Sequence, residues 1–253
     1  MRAARRPAVD LAIRDSVAWL TLARPATRNR CDAELLGALV AACDEIEHAE
    51  TARVVVLAAR GPTFSAGLPA GCAWPDASWP DGIGALARLG KPVIAALQGD
   101  VLGWGLALAL ACDVRIAATN AVLALPETES GALPGGGVTQ RLPRMVGVAR
   151  ALELVLLGRR LRAVDAAGWG LVAAVVPGGR LRATAARLAA ELAARGPLAL
   201  RLAKEAVIRA LDLPLADGLG LEHDLYVLLQ TTEDRREGVR AFLGRRRPGF
   251  TGR

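Results

Sequence analysis

The chain has 253 residues, and 32 Lys and Arg against 25 Asp and Glu give it a formal net charge of +7. Hydrophobic residues make up 53% of the sequence and charged residues 23%, which excludes wholesale disorder. The positive charge suggests an anionic partner: nucleic acid, a membrane surface or a phosphorylated small molecule. Only two of the basic residues are lysines, Lys91 and Lys204, so the charge reflects an arginine bias more than a designed patch.

The first third of the chain predicts two strands and the helix between them. Residues 17–25 alternate like a strand, and residues 31–50 carry apolar side chains at helical spacing, with Asp32 placed to cap the first turn. Residues 52–60 form a continuous apolar run, which is typical of a strand that is buried on both faces. The basic N-terminus is not followed by an apolar segment, so we expect no secretory signal and a cytoplasmic protein.

The middle of the chain continues the alternation of strands and helices. A loop rich in Gly, Pro and Trp (61–82) precedes a short helix and a strand over 91–99. Glycines then lead into a run of Ala and Leu suited to a buried helix that starts near Gly105. The apolar run over 101–112 is too short to cross a membrane, which needs about 20 residues. Short strands and a turn-rich loop, 126–140, follow.

From Val148 onward the pattern predicts helices alone. Strands that alternate with helices and then give way to helices indicate an α/β core with a C-terminal helical extension. We place the core at residues 1–195 and a helical oligomerisation or lid region at 196–253.

The cysteines and histidines do not form a recognisable metal or nucleophile motif. Cys31, Cys43, Cys72 and Cys112 contain no Cys-x-x-Cys pair, and the only histidines are His48 and His223. We therefore predict no metal site and no triad-type nucleophile.

Three glycine-containing loops each follow a strand, at residues 64–69, 102–108 and 133–140. Leu108 occupies the third glycine position of a dinucleotide-binding motif, and the lysines do not follow a glycine-rich turn as in a P-loop. Such loops serve as tight turns that allow close packing. Alternatively, their backbone N–H groups polarise a carbonyl and stabilise a developing oxyanion, which makes the neighbouring α-carbon acidic.

Over residues 17–250 the chain resembles the crotonase, or enoyl-CoA hydratase/isomerase, superfamily. The resemblance rests on six blocks in order: VVVLAARGPTFSAG, KPVIAALQGDVLGWGLALALACDVRIAA, LPETESGALPGGGVTQRLPRMVG, ALELVLLGRRL, GLVAAVVP and TTEDRREGVRAFLGRRRPGF. It implies a crotonase-like ββα spiral core with a C-terminal helical extension. It also implies an acyl-CoA substrate with no separate cofactor, and a homotrimer or a dimer of trimers.

The resemblance assigns the oxyanion hole to the backbone N–H groups of Leu68 and Trp104, where the family usually has glycine in place of the tryptophan. Hydratases of the family use two glutamates to activate a water. The second is matched by Glu127, and Gly135 matches a backbone group that helps to place the water. The first is replaced by Ala107, whose methyl group cannot transfer a proton.

A single carboxylate at the Glu127 position is typical of the family's isomerases, which move a β,γ double bond to the α,β position. We therefore favour isomerisation, with Glu127 as acid and base and Glu129 as a weaker candidate for a second acid. Two alternatives stay open: a hydratase with a diverged site, and a CoA-binding homologue without catalysis.

The resemblance also places coenzyme A beside Arg28 and Ala66, with Phe242 and Arg245 closing the nucleotide site, commonly from a neighbouring subunit. Arginine suits phosphate because it binds in a bidentate manner. Trp74 and Trp79 lie on a loop that lines the family's acyl channel. Nucleic-acid binding is disfavoured, because one Tyr and three Phe offer no stacking platform. We expect no membrane partner.

Overall fold

The computed structural model describes residues 7–69, 72 and 78–253 of the chain. The strands are β1 (Val9–Arg14), β2 (Val17–Leu22), β3 (Val54–Ala59), β4 (Val93–Leu97), β5 (Asp100–Leu102), β6 (Val114–Ala118), β7 (Val122–Ala124), β8 (Leu161–Arg162) and β9 (Ala174–Val176). The helices are α1 (Ala33–His48), α2 (Gly82–Ala87), α3 (Trp104–Leu110), α4 (Val138–Val146), α5 (Val148–Leu157), α6 (Ala163–Gly168), α7 (Leu181–Ala193), α8 (Pro197–Arg209), α9 (Leu215–Gln230) and α10 (Glu233–Leu243).

The strands form two sheets. The larger has the order β1-β2-β3-β4-β6-β9, in which β1 and β2 are antiparallel and the other neighbours are parallel. The smaller has the order β5-β7-β8, with β5 and β7 parallel. The strands β5 and β7 therefore run beside each other in the same direction, which positions the loops that follow them, whereas β8 runs antiparallel to β7.

The larger sheet is buried on both faces. Successive residues of a strand point to opposite sides, so Val55 and Leu57 pack in the cluster that contains α1, whereas Val54 and Val56 face α7. All four side chains are fully buried, which confirms the prediction from the apolar run. The alanines of α7 that face the sheet, such as Ala185 and Ala189, recur every four residues and let the helix approach closely.

The core repeats a strand–strand–helix unit. In the second unit β4 joins the large sheet, β5 joins the small one and α3 follows; in the third, β6, β7 and α4 do the same. The first unit is β3, a single bridge residue, Ser65, that pairs with Val101 of β5, and α2. The repeated unit is the ββα arrangement that the resemblance implied.

Several predicted elements are confirmed, with small shifts at their ends. Asp32 caps α1 by accepting a hydrogen bond from the Leu35 N–H at 2.9 Å, as predicted. The buried helix α3 begins at Trp104, one residue before Gly105, which confirms the predicted start. His48 is the last residue of α1.

The prediction of helices alone after Val148 is wrong. β8 has only two residues, and β9 has three, yet β9 closes the edge of the large sheet by pairing with β6. Strands this short carry no periodicity of their own, because their neighbours in the sheet define them. β1 was missed too: it pairs with β2 within a basic N-terminal segment.

The C-terminal part is helical, as predicted. α8 and α9 bury none of their residues fully in the single chain. In the part of the chain that the structure describes, every helix falls short of the length and apolarity needed to cross a bilayer. The division at residue 195 remains a prediction.

Candidate active site

Three neighbouring parallel segments bring the predicted site residues to one edge. Ser65 pairs with Val101 of β5, and β5 pairs with β7 through Leu102 and Ala124. Hydrogen bonds from Leu102 N to Ser65 O (3.0 Å) and from Gly103 N to Ala124 O (2.9 Å) continue this alignment. Leu68, Trp104 and Glu127 each follow the carboxyl end of one of these segments by a few residues. This is the edge at which parallel sheets usually bind ligands.

The first two glycine loops lie against each other. A Cβ atom at Gly67 would lie 2.9 Å from the carbonyl oxygen of Leu102 and 3.6 Å from Trp104 N. Gly67 has φ +77°, which favours glycine, so both its backbone conformation and its lack of a side chain permit this approach. The loop and the N-terminus of α3 are therefore in contact at the predicted oxyanion hole.

The two predicted oxyanion donors have suitable surroundings. The Leu68 N–H donates no hydrogen bond to any described residue. Trp104 is the first residue of α3, and the N–H groups of a first helical turn point outward along the axis. The arrangement suits a carbonyl oxygen that approaches from outside the helix.

Sequence reasoning missed two buried polar residues that hold the first loop. The Asn29 side chain accepts from Arg24 N at 2.9 Å and donates to the carbonyl oxygens of Arg60 (3.0 Å) and Thr63 (2.9 Å). The Ser65 hydroxyl donates to Asn29 O at 2.7 Å and accepts from Gly67 N at 3.3 Å. Both side chains are fully buried. The only sequence signal was an Asn in a turn, where its left-handed conformation (φ +50°) is tolerated.

Glu127 lies in a short 3-10 turn, Pro126–Ser130, directly after β7. Its Oε1 contacts the backbone of Gly103, where a Cβ atom would collide with it, and Gly103 has φ +50°. Its Oε2 is buried and accepts no hydrogen bond from a described residue. Burial raises the pKa of the Glu127 carboxyl above its ordinary value, because desolvation disfavours the charged form. A carboxylate in this state is ready to take up a proton.

Ala107, the position of the missing glutamate, is fully buried. A Cβ atom at Gly136 would lie 2.8 Å from the Ala107 methyl carbon, 2.7 Å from Ile83 Cδ1 and 3.8 Å from the Trp104 indole. Gly135 precedes this residue and is half-buried. The third glycine loop therefore lies against α3 at the predicted water site.

The predicted acyl-pocket residue Trp79 contacts the predicted oxyanion residue Trp104. Their ring centroids are 6.5 Å apart and the ring planes meet at 67°, an edge-to-face arrangement. Both rings are half-buried against the main core. Trp74, the other predicted pocket residue, lies outside the described residues.

Arg28 and Ala66, the predicted CoA contacts, are joined by a hydrogen bond from Ala66 N to Arg28 O at 3.0 Å. The Arg28 guanidinium pairs with Asp100, and Arg160 contacts the other oxygen of the same carboxylate at 2.9 Å. Two guanidinium groups thus share one carboxylate at the start of β5. Arg160 was not among the predicted residues.

Phe242 lies near the end of α10 and Arg245 just beyond it. Both residues come more than 100 positions after the three aligned segments in the chain. Phe242 is 83% exposed, so its ring has no place in the core of the single chain. This exposure is compatible with the expected contact across a subunit boundary.

The remaining candidate groups lie apart from Glu127 or are inert. Glu129 is exposed, and its carboxylate lies beside Gly158. Cys31 and Cys112 are fully buried, and desolvation raises the pKa of each thiol to about 12. Within residues 7–69, 72 and 78–253, His, Cys, Asp and Glu do not gather in a group of three that would hold a metal ion.

Comparison with known proteins gives a consistent result. Residues 12–253 match the family described as Enoyl-CoA hydratase/isomerase. The 2,3-dehydroadipyl-CoA hydratase of Escherichia coli is 40% identical over 247 residues, which cover 94% of this chain and 96% of that protein. The enoyl-CoA hydratase structure from Bacillus anthracis has a TM-score of 0.93 at 37% identity, covering 97% of this chain and all of the other. A structure from Geobacillus kaustophilus, also described as an enoyl-CoA hydratase, has a TM-score of 0.91 at 38% identity, with 97% and 98% coverage. The crotonase-like fold expected from the sequence is confirmed.

Proposed function

Because the chain belongs to the enoyl-CoA hydratase/isomerase family of acyl-CoA enzymes, we propose that it moves the double bond of a 3-enoyl-CoA to the 2-position. Glu127 is the single acid and base of this reaction. The observation that carries the proposal is that Glu127 is a half-buried, desolvated carboxyl with a buried Oε2, whereas the other position, Ala107, has only a buried methyl group.

The reaction proceeds through a dienolate. Glu127 removes a proton from C2 of the substrate, and the electron pair of the broken C–H bond moves to the thioester oxygen. The backbone N–H groups of Leu68 and Trp104 stabilise the negative charge on that oxygen. The same carboxyl group then delivers its proton to C4, and the double bond forms between C2 and C3. The reaction consumes no water, and the proton balance closes within the active site.

The surroundings of Glu127 suit both halves of this cycle. Desolvation raises its pKa, so the carboxyl is a stronger base than an exposed glutamate and holds the proton until the dienolate takes it back. Its Oε1 lies against Gly103, the residue before Trp104, so the base is adjacent to the proposed oxyanion donor.

Hydration requires a second group that works with Glu127, so that one group activates the water and the other protonates the substrate. At position 107 the side chain is a methyl group. The three atoms nearest to a Cβ atom placed at Gly136 are carbons of Ile83, Ala107 and Trp104. General acid–base catalysis is worth about 10²–10⁴-fold in rate, so the loss of one partner penalises hydration by a factor in that range.

We propose that coenzyme A binds along Ala66 and Arg28 within one subunit, and that Phe242 and Arg245 of a neighbouring subunit close the nucleotide site. The exposure of Phe242 and the ion-pair cluster around Asp100 support this assignment. A homotrimer or a dimer of trimers would supply the neighbouring subunit.

The direct test is Glu127→Gln, assayed for isomerisation of a 3-enoyl-CoA. We expect the rate to fall at least about 100-fold with little change in acyl-CoA binding, because the amide keeps the size of the side chain but cannot accept the proton. Glu129→Gln, the same change at an exposed side chain two residues later, is the matched control and should keep its activity. Unchanged isomerisation in Glu127→Gln would remove this residue from the mechanism.

Hydration is the second candidate function, because the relatives above carry hydratase names. In that case Glu127 would activate the water alone, and the chain would hydrate 2-enoyl-CoA faster than it isomerises 3-enoyl-CoA. If the protein binds CoA but turns over neither 3-enoyl-CoA nor 2-enoyl-CoA, both candidate functions are excluded.

A further inference from the structure

We infer that the Trp104 indole excludes water from the space beside Ala107 and thereby determines the choice between isomerisation and hydration. This specificity role is separate from that of the Trp104 backbone N–H, and it rests on the proposed function. The missing glutamate would then be only half of the reason for the loss of hydration.

The position of the indole follows from the helix. Trp104 is the first residue of α3, and Ala107 follows three residues later, so the two side chains are neighbours on one side of the helix. The loop residue Gly136 contacts both: a Cβ atom there would lie 2.8 Å from the Ala107 methyl carbon and 3.8 Å from Trp104 Cδ2. The indole therefore covers the same part of the third glycine loop that the methyl group touches.

The described side chains around Ala107 are apolar apart from the N–H groups of two indole rings. Ile83 Cδ1 would lie 2.7 Å from a Cβ atom at Gly136, and Trp79 meets the Trp104 ring edge to face at a centroid distance of 6.5 Å. Ala107 itself has no exposed surface. An ordered water needs two to four polar partners. Apart from the two indole N–H groups, these side chains offer it only a methyl group, an isoleucine and aromatic faces, which supports the exclusion of water from this corner.

Two consequences follow. A glutamate restored at position 107 alone would extend toward the Gly136 backbone and the Trp104 ring, with no room for a water beside it. In addition, Glu127 Oε1 lies against Gly103, whose carbonyl oxygen accepts a hydrogen bond from the Ala107 N–H at 3.0 Å. Exclusion of water from the corner at Ala107 would therefore slow exchange of the abstracted proton with solvent, because closed sites prevent proton leakage. The proton that leaves C2 therefore returns at C4 in the same turnover.

The first experiment measures this return directly. Isomerisation of a 3-enoyl-CoA in D₂O is followed by mass spectrometry of the product, in the wild type, in Trp104→Gly and in Trp104→Phe. We expect mostly unlabelled product from the wild type and at least about a threefold higher deuterium content from Trp104→Gly, which admits water. Trp104→Phe keeps an aromatic ring and the backbone N–H, so it is the matched control. Whatever its rate, its product should have the low deuterium content of the wild-type product. Equal labelling in the wild type and Trp104→Gly would overturn the inference.

The second experiment measures hydration of a 2-enoyl-CoA in Ala107→Glu and in the double variant Trp104→Gly/Ala107→Glu. We expect less than about a threefold gain from Ala107→Glu alone and about a 100-fold gain from the double variant, the range of one added acid–base group. A gain from Ala107→Glu that equals that of the double variant, or no gain in either folded protein, would contradict the role of Trp104.

The two experiments separate this inference from the proposed function. If the wild type isomerises nothing, the proposed function fails, while the comparison of the two hydration variants still tests the indole. If a glutamate at position 107 prevents folding, the deuterium measurement decides, because it needs only substitutions at Trp104.

Discussion

At the scale of single residues, the proposed isomerisation depends on the environment of Glu127. Its position was predictable from the sequence, because it lies at a fixed spacing from the glycine loop within a recognisable block. Its buried Oε2 and raised pKa were not predictable, because they come from Gly103 and from residues distant in the chain. The contact of Trp104 with Trp79 was hidden for the same reason.

The raised pKa of Glu127 has a consequence for stability. The folded chain keeps this proton to a higher pH than the unfolded chain, so stability is lost as the pH rises from the ordinary glutamate pKa through the raised one. Glu127→Gln removes the ionisation. We expect the variant to have a higher Tm than the wild type at about pH 8, with the difference shrinking below about pH 4.3, the ordinary glutamate pKa.

Thermal unfolding across this pH range checks the prediction, with Glu129→Gln as the control for an exposed side chain. A Tm difference between Glu127→Gln and the wild type that does not change with pH would contradict a desolvated carboxyl.

At the scale of elements, the long periodic segments were predictable and the short ones were not. The cap at Asp32, the apolar strand β3 and the helix after Gly103 follow from local patterns. β5 and β9 have three residues each and exist because neighbouring strands pair with them. The alignment of Ser65, β5 and β7, which brings three loops to one edge, is therefore visible only in the folded chain.

The first glycine loop depends on Asn29. Its side chain makes three hydrogen bonds to backbone groups, it is fully buried, and its φ is +50°. We expect Asn29→Ala to lower the free energy of unfolding by about 2–4 kcal/mol, because buried backbone groups lose their partners and alanine disfavours the left-handed conformation.

Urea denaturation measures this loss, and Asn29→Gly, which tolerates the conformation but lacks the amide, separates the two contributions. Isomerisation should fall in both variants, since the loop carries Leu68. A loss below about 0.5 kcal/mol in Asn29→Ala, as at ordinary surface sites, would show that the loop does not depend on these bonds.

At the scale of the whole molecule, the C-terminal helices leave apolar surface uncovered. Leu215 is 79% exposed, Val207 71% and Leu219 56%, although all three lie on well-formed helices. The sequence showed the helices, but the resemblance alone suggested what covers them. We expect the protein to be a homotrimer or a dimer of trimers in which these helices make the subunit contacts.

Light scattering of the purified protein measures the assembly. The expected mass is about three or six times the 26.4 kDa of one chain. A monomer that persists as the protein concentration rises would contradict the assembly and, with it, the contribution of Phe242 and Arg245 to a neighbouring site.

We propose isomerisation because Glu127 is the single carboxylate of the proposed site and position 107 has a methyl group that cannot transfer a proton. The most direct test compares kcat/KM of the wild type for isomerisation of a 3-enoyl-CoA with that for hydration of the 2-enoyl-CoA of the same chain length. We expect isomerisation to be faster by at least about 100-fold, which is the rate contribution of the missing acid–base partner. Hydration as fast as isomerisation, or faster, would contradict it.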